Sequence, residues 1–254
     1  RLWAAAELYR TTGDPKFRDW FLAHWPSWKP DPTAGVTFKE QGMAAAWAMW
    51  NAMHEQHDCG VIESSAASDG LCIELAGILQ SAADWYLRKA EENAWDAPLH
   101  QHPPYMGWGS LGHSSRAILP LFAAGAVTGM EHYRKRAADM VHVQMGQNPL
   151  GICFITGIGT RSPLRPLSKL SQYDQRFAPL PGIPVNGPHY HLPELWPAMK
   201  AANEGWGPND EMPYPPMRRY VDSDLLPPMS EPTVAELAVT AAGIALISGI
   251  EDSQ

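Results

Sequence analysis

Apolar residues recur along the first three-fifths of this chain at the spacing of helix faces, and the pattern predicts one helix after another. RLWAAAELYRTTGD carries Leu2, Ala5, Ala6 and Leu8 on one side and stops at Gly13, a helix C-terminal signal. Asp14 and Pro15 then open a second helix, DPKFRDWFLAHW, as N-cap and first-turn residues, and the turn PSWKPDPT ends it. FKEQGMAAAWAMWNAMHEQ is apolar through Met43, Ala46, Trp47 and Trp50, at i, i+3, i+4 and i+7. LCIELAGILQSAADWYLRKAEENA is amphipathic, with its charges gathered late. SLGHSSRAILPLFAAGAVTG and MEHYRKRAADMVHVQMG form a further pair around a Gly-centred turn. ELYRTTGDPKFRDWFLAHW and GAVTGMEHYRKRAADMVHVQMG share one order: helix, Thr-Gly, short turn, aromatic plus Arg, helix. This reads as one hairpin unit used twice.

The pattern then changes. ICFITGIG is the best short strand candidate. Between residues 160 and 235 lie 15 of the 24 prolines, which predicts a long ordered loop rather than helices. A loop of that size inside a domain is usually functional. Residues 234–250 are nearly all apolar, with Glu236 the one charge before Glu251, which predicts a helix buried on every side. Repeated hairpins and one enclosed helix point to an all-α fold, an (α/α) barrel or toroid, with a plain helical bundle as the alternative.

Composition narrows the function. The 254 residues are 45% apolar and 18% charged, so the chain is globular. A net charge of −8 argues against a nucleic-acid partner or an anionic membrane surface. No apolar run is long and charge-free enough to predict a membrane span. Eleven tryptophans are many for this length, and flat indole surfaces suit both cores and sugar rings. Cys59, Cys72 and Cys153 form no CxxC pair and no zinc pattern, so small buried residues with at most one bridge are expected. The His-Tyr-His run at 189–191 offers two imidazoles but no third ligand, and no metal site is assigned. The chain opens at Arg1, already inside a helical pattern and without an initiator Met, as expected of part of a longer protein.

Glu231 is a single carboxylate between Ser230 and Pro232, where the proline-rich loop gives way to the last helix. It could serve as a charge on the helix dipole or as a catalytic acid. The two roles conflict electrostatically: a helix N-terminus lowers a carboxyl pKa, whereas a general acid working near neutrality needs it raised.

Five segments, in order along the whole chain, resemble glycoside hydrolase family 9, the family of inverting cellulases built on an (α/α)6 barrel. RLWAAAELYRTTGDPKF resembles a mid-domain helical hairpin of that family, and PPYMGWGSLG its GWGS segment. MGQNPLGICFITGIG is similar to its G-x-NP-x-G-x-S/F-x-x-TG-x-G turn, and LPGIPVNGP to its PG-x-x-x-GGP loop. RRYVDSDLLPPMSEPTVAELA stands where the family has YVD, a spacer, Asn-Glu and an apolar helix.

The resemblance implies the C-terminal portion of an (α/α)6 catalytic domain, one partial domain over residues 1–254 carrying a long Pro-rich loop. Glu231 falls on the general acid that protonates the departing sugar oxygen, with Ser230 in place of Asn and Pro232 following. Trp108 would lie along the sugar cleft, its neighbours Gly107 and Gly109 leaving the indole uncovered. Tyr105, Arg161, Lys169, Tyr220 and Asp222 are the other candidate substrate contacts; Asp222 could equally orient Tyr220 or its own loop. Where the family has a substrate-binding His-His-Arg, this chain has Leu167, Ser168 and Lys169, and a lysine lacks the bidentate fork of arginine. The stretch 189–217 is longer than usual and would reshape one end of the cleft.

Inversion needs two carboxylates roughly 6.5–9.5 Å apart. The family's base lies in a DAGD-type motif that this chain lacks, and SDGLC at 68–72 is no substitute. The implied function is a cellulase-like, endoglucanase-like O-glycosidase acting on a β-linked poly- or oligosaccharide, its base upstream in the N-terminal remainder. The alternative is a non-catalytic carbohydrate-binding or scaffold relic. No cofactor is expected, and structural calcium, which the family often binds, has no acidic loop assigned to it here. A polysaccharide hydrolase is expected to be secreted or periplasmic.

Overall fold

The computed structural model describes residues 1–31, 42–56, 70–92, 117–173, 178–189, 197 and 218–251. They form helices joined by turns, with no β-strand among them. By internal contacts the chain divides into two compact units: residues 1–88 with 116–138, and residues 89–115 with 139–254.

The first unit is built on α1 (Leu2–Thr12), a short α2 (Pro15–His24) continued by a 3-10 turn (Trp25–Ser27), α3 (Gly42–Glu55), α4 (Gly70–Glu91, whose end passes into the second unit) and α5 (Ile118–Thr128). The expected α1–α2 boundary is present atom for atom. Gly13 adopts the left-handed conformation (φ 66°) and its N–H donates to the Tyr9 carbonyl at 2.8 Å. The Asp14 carboxylate then accepts the Lys16 N–H at 3.0 Å, and Pro15 occupies the first turn, where a missing N–H costs nothing.

The hairpin repeat holds at the same level of detail. Thr12 and Thr128 each donate a hydroxyl to the carbonyl four residues back, at 2.6 Å, and each accepts the N–H of the residue after the glycine, at 3.2 Å. Gly13 and Gly129 (φ 74°) are both left-handed. A threonine followed by glycine therefore writes the same turn twice.

α1 packs on α2 and α3, and α3 on α5. The core beneath them contains Tyr9, Phe21, Trp25, Met43, Met49, Met53, Leu75 and Leu79. α3 is buried far beyond the single face expected from Met43, Ala46, Trp47 and Trp50. Ala44, Ala45, Ala48, Met49, Ala52 and Met53 are enclosed as well. Its alanines let neighbouring backbones approach, and the parallel indoles of Trp47 and Trp50 fill the remaining space, 5.8 Å between centroids. Cys72 is disulfide-bonded, and Cys153 is free and buried.

The second unit contains α6 (Glu131–Gln144, which begins in the first), two short helices α7 (Lys169–Tyr173) and α8 (Pro227–Ser230), and α9 (Val234–Glu251). Two expectations are corrected here. α9 is not enclosed on all sides: Thr240, Gly243 and Ile247 are buried, whereas Val234, Ala238, Ala241, Ala242 and Ala245 are exposed. An exposed alanine presents one methyl group, so a high average hydropathy does not require burial. ICFITGIG is not a strand of a sheet but holds one isolated antiparallel bridge, Ile155 with Pro184. Pro181 and Pro184 have no N–H to give, so a ladder cannot run past them. The proline-rich loop is ordered as expected where described, with α7 and α8 as its helical turns. No helix among the described residues is long and apolar enough to cross a membrane.

Candidate active site

The second unit gathers three of the five sequence-predicted segments through hydrogen bonds rather than a large apolar core. Asn148 of the Asn-Pro turn is buried. Its amide donates to the carbonyls of Val143 and Ile152, both at 2.8 Å, and its oxygen accepts the Leu150 N–H at 3.1 Å and the Ile152 N–H at 3.5 Å. One side chain thereby closes the turn 145–152 on itself.

Phe154 and Thr156 carry the next link. The Phe154 N–H donates to Gln144 at 2.8 Å and its carbonyl accepts the Val185 N–H at 2.9 Å. The Thr156 N–H donates to Ile183 at 2.9 Å, and its carbonyl accepts the Gly182 N–H at 2.8 Å. The Thr156 hydroxyl, fully buried, donates to the Leu180 carbonyl and accepts the Ile183 N–H. Gly157 is left-handed (φ 69°), and a Cβ there would stand 2.7 Å from the Pro181 Cβ. The TG-x-G turn and the PG loop thus approach too closely for any other residue at 157.

The third link reaches Glu231. The Gly187 N–H donates to the Met229 carbonyl at 2.9 Å and the Leu167 N–H to the Ser230 carbonyl at 3.0 Å. Ser230 is fully buried and donates its hydroxyl to the Leu226 carbonyl at 2.9 Å. The Glu231 N–H closes α8 onto the Pro227 carbonyl at 2.9 Å. Pro232 disfavours helical geometry at the residue before it, and Glu231 accordingly leaves α8 in extended backbone, φ −75° and ψ 128°. Its side chain is half-buried. The first backbone bond of α9 runs from Leu237 to the Thr233 carbonyl, so Thr233, and not Glu231, stands at the N-cap position.

The remaining predicted residues fall as follows. Tyr220 packs edge-on against Phe154, 5.0 Å between centroids, and its hydroxyl donates to Asp222 at 3.3 Å. Burial, then the neighbouring Asp222 charge, hold that hydroxyl well above the ordinary tyrosine value. Asp222 has both oxygens engaged by the chain, Oδ2 by the Leu164 N–H at 2.7 Å and Oδ1 by the Arg165 N–H at 3.1 Å. Arg161 is turned to the Asn-Pro turn, donating to the Leu150 carbonyl at 3.0 Å. Lys169 reaches the Gln172 Oε1 at 3.2 Å, and the Gln172 amide in turn donates to Asp224 at 3.2 Å. Trp108, Tyr105 and most of the stretch 189–217 lie outside the described residues; His189 itself is buried, its N–H donating to the Arg219 carbonyl at 3.0 Å.

Sequence reading missed Asp224, which accepts Arg165 Nη2 at 2.8 Å besides Gln172. No local pattern marks it, because its partners are 52 and 59 residues away. No group of three or more His, Cys, Asp or Glu among the described residues could hold a metal ion.

The chain is similar to known proteins. A xyloglucan-specific endo-beta-1,4-glucanase of Bacteroides ovatus is 30% identical over 188 residues, 74% of this chain and 30% of that protein. A cellulose 1,4-beta-cellobiosidase of Acetivibrio thermocellus is 26% identical over 237 residues, 87% of this chain and 25% of that protein. The chain thus spans less than a third of the length of these curated relatives. Among solved structures, the family 9 endoglucanase J30 superposes with a TM-score of 0.73 at 27% identity, covering 98% of this chain and 41% of that one. An AaCel9A structure in complex with cellobiose-like isofagomine, at 22% identity and a TM-score of 0.71, shares the fold. The fold class is accordingly the all-α fold of these (α/α)6 barrels. Residues 1–242 match the model of glycosyl hydrolase family 9, and with the Asn-Pro turn, the TG-x-G and PG loops and the Glu231 junction in the family's order, the chain belongs to that family.

Proposed function

We propose that this chain is the C-terminal portion of one cellulase-like catalytic domain that hydrolyses a β-1,4-linked glucan by inversion, with Glu231 as general acid. The reading is carried by Glu231 itself. It is a half-buried carboxylate turned out of α8 by Pro232, and through Ser230 it adjoins the loop that bears Lys169. In the reaction the Glu231 carboxyl gives its proton to the glycosidic oxygen as the C1–O bond breaks. Water adds to C1 from the opposite face and loses its proton to a base outside these 254 residues, leaving a hemiacetal of inverted configuration. Lys169, Trp108 and Tyr105 are the substrate contacts we favour. Arg161, whose Nη1 alone is tied to the Leu150 carbonyl, stays a candidate contact, whereas Tyr220 and Asp222 serve the shape of the loops around them, bonded to each other and to the Leu164 and Arg165 N–H groups.

The test is Glu231→Gln in the full-length protein. Turnover of an unactivated β-glucan should fall about 10²–10⁴-fold, the usual contribution of a general acid, with the melting temperature unchanged. Normal turnover by that variant removes the assignment. Proton NMR of the first-formed reducing end checks inversion.

Leu167 and Ser168, in place of the family's two histidines, support a second reading, a carbohydrate-binding relic without catalysis. Binding of β-glucan by the unmodified protein with no hydrolysis would establish it. The relatives, a xyloglucan-specific glucanase and a cellulose cellobiosidase, and the disulfide at Cys72 support a secreted or periplasmic location, since disulfides persist in oxidising compartments. Cell fractionation checks that assignment.

A further inference from the structure

The short helix α7 is held on several sides, and its last side chain is left over. The Gln172 N–H donates to the Ser168 carbonyl at 3.0 Å, and the Ser171 hydroxyl accepts the Leu180 N–H at 3.2 Å. The Gln172 side chain bridges the Lys169 ammonium and the Asp224 carboxylate, each at 3.2 Å. Just before the helix, the Leu167 N–H is tied to the Ser230 carbonyl, next to Glu231. Tyr173 takes part in none of this. It is 78% exposed, more than any other aromatic side chain among the described residues. Its hydroxyl bonds to no described residue.

Single exposed apolar side chains are ordinary on a protein surface. This one differs in its mounting. Lys169 and Tyr173 open and close α7, and residues at that spacing share one side of a helix, about 5–6 Å apart at Cβ. Cα–Cβ bonds of a helix tilt toward its N-terminus, which here is the end tied to Ser230. A β-glucose ring carries its hydroxyls around its edge, so its two flat faces present slightly positive C–H groups. The face of an aromatic ring is negative and matches them. Among the described residues the Lys169 ammonium meets only Gln172, so its further N–H groups can meet hydroxyls at the edge of the same sugar.

We propose that Tyr173 is a sugar-binding platform, on which one glucose ring of the glucan stacks beside the contact made by Lys169. The ring fixes where the chain lies and takes no part in the chemistry. The proposal rests on the β-glucan reading of the site and not on Glu231 being the acid.

The test is calorimetric binding of sulfur-linked cellohexaose, which glycosidases leave intact, to the full-length protein. Tyr173→Ala and Tyr173→Leu should both weaken binding about three- to tenfold, because neither keeps a ring. Tyr173→Phe should bind within about twofold of the unmodified protein. All three should keep its melting temperature, because the side chain is exposed.

Unchanged binding by Tyr173→Ala overturns the platform. Binding by Tyr173→Leu as tight as by Tyr173→Phe overturns it too, since bulk alone would then suffice. Tyr173→Phe as weak as Tyr173→Ala does the same, since the hydroxyl would then carry the contact. Weaker binding accompanied by a lower melting temperature would make Tyr173 a support of its loop instead. If the unmodified protein binds no cellohexaose, the β-glucan reading falls and takes this proposal with it. If it binds and the variants do not sort by the presence of a ring, only the platform falls.

Discussion

The two units solve the same problem, holding distant segments together, by different means. In the first, Phe21, Trp25, Met49 and Leu75 meet inside a shared apolar core, and charge pairs such as Arg10 with Glu55 stay at the surface. In the second, Asn148, Thr156, Asp222 and Ser230 join loops through backbone groups, and the cluster of Val143, Phe154 and Val185 is small. An apolar core tolerates changes of shape if its volume is kept. A buried polar joint does not, because removing one side chain leaves several backbone groups without partners. The difference separates a unit held by packing from one held by hydrogen bonds to its own backbone.

Phe21→Ala should produce the largest effect on stability, about 3–5 kcal/mol in denaturant unfolding, because Phe21 is fully buried. A loss below about 1 kcal/mol would break the claim that the first unit rests on its core. Asn148→Ala should cost about 1–3 kcal/mol and raise hydrogen exchange at Leu150 and Ile152, whose N–H groups it holds. An equal stability in Asn148→Leu, which keeps volume but no hydrogen bonds, would show that packing, and not polarity, sustains that turn.

The smallest effect is expected at Glu74. The Lys29 ammonium, and less strongly the Trp25 indole N–H, hold its carboxyl below the ordinary glutamate value of 4.5. A depressed carboxyl stabilises the fold above its unfolded value, and that contribution is lost as pH falls through the folded value. Melting temperatures followed from pH 6 down to 3 should therefore drop less steeply in Glu74→Gln. At a half-exposed pair the difference should stay under about 1 kcal/mol, and an unchanged acid slope would show that the pair adds nothing.

The helices were legible because their signals are local. Asp14-Pro15 and the two Thr-Gly turns state their hydrogen bonds within five residues. α9 misled because hydropathy averages over faces: its alanines raise the mean without demanding cover. The extended backbone of Glu231 was legible through the Ser-Glu-Pro junction, because Pro232 disfavours helix at the residue before it. That Asp222 meets Tyr220 was legible; that it also holds residues 164 and 165 was not, because those N–H groups lie 58 and 57 residues away and belong to no side chain. Of Asp224 the sequence carried no sign at all.

Because Asp222 holds its loop by the peptide N–H groups of residues 164 and 165, the grip is indifferent to which side chains those residues bear. Any amino acid but proline offers the same donor. The side chains at 164 and 165 can therefore change while this one attachment stays fixed. Randomising Leu164, which is exposed and held through its N–H, would vary the chemistry this loop presents without loosening that attachment.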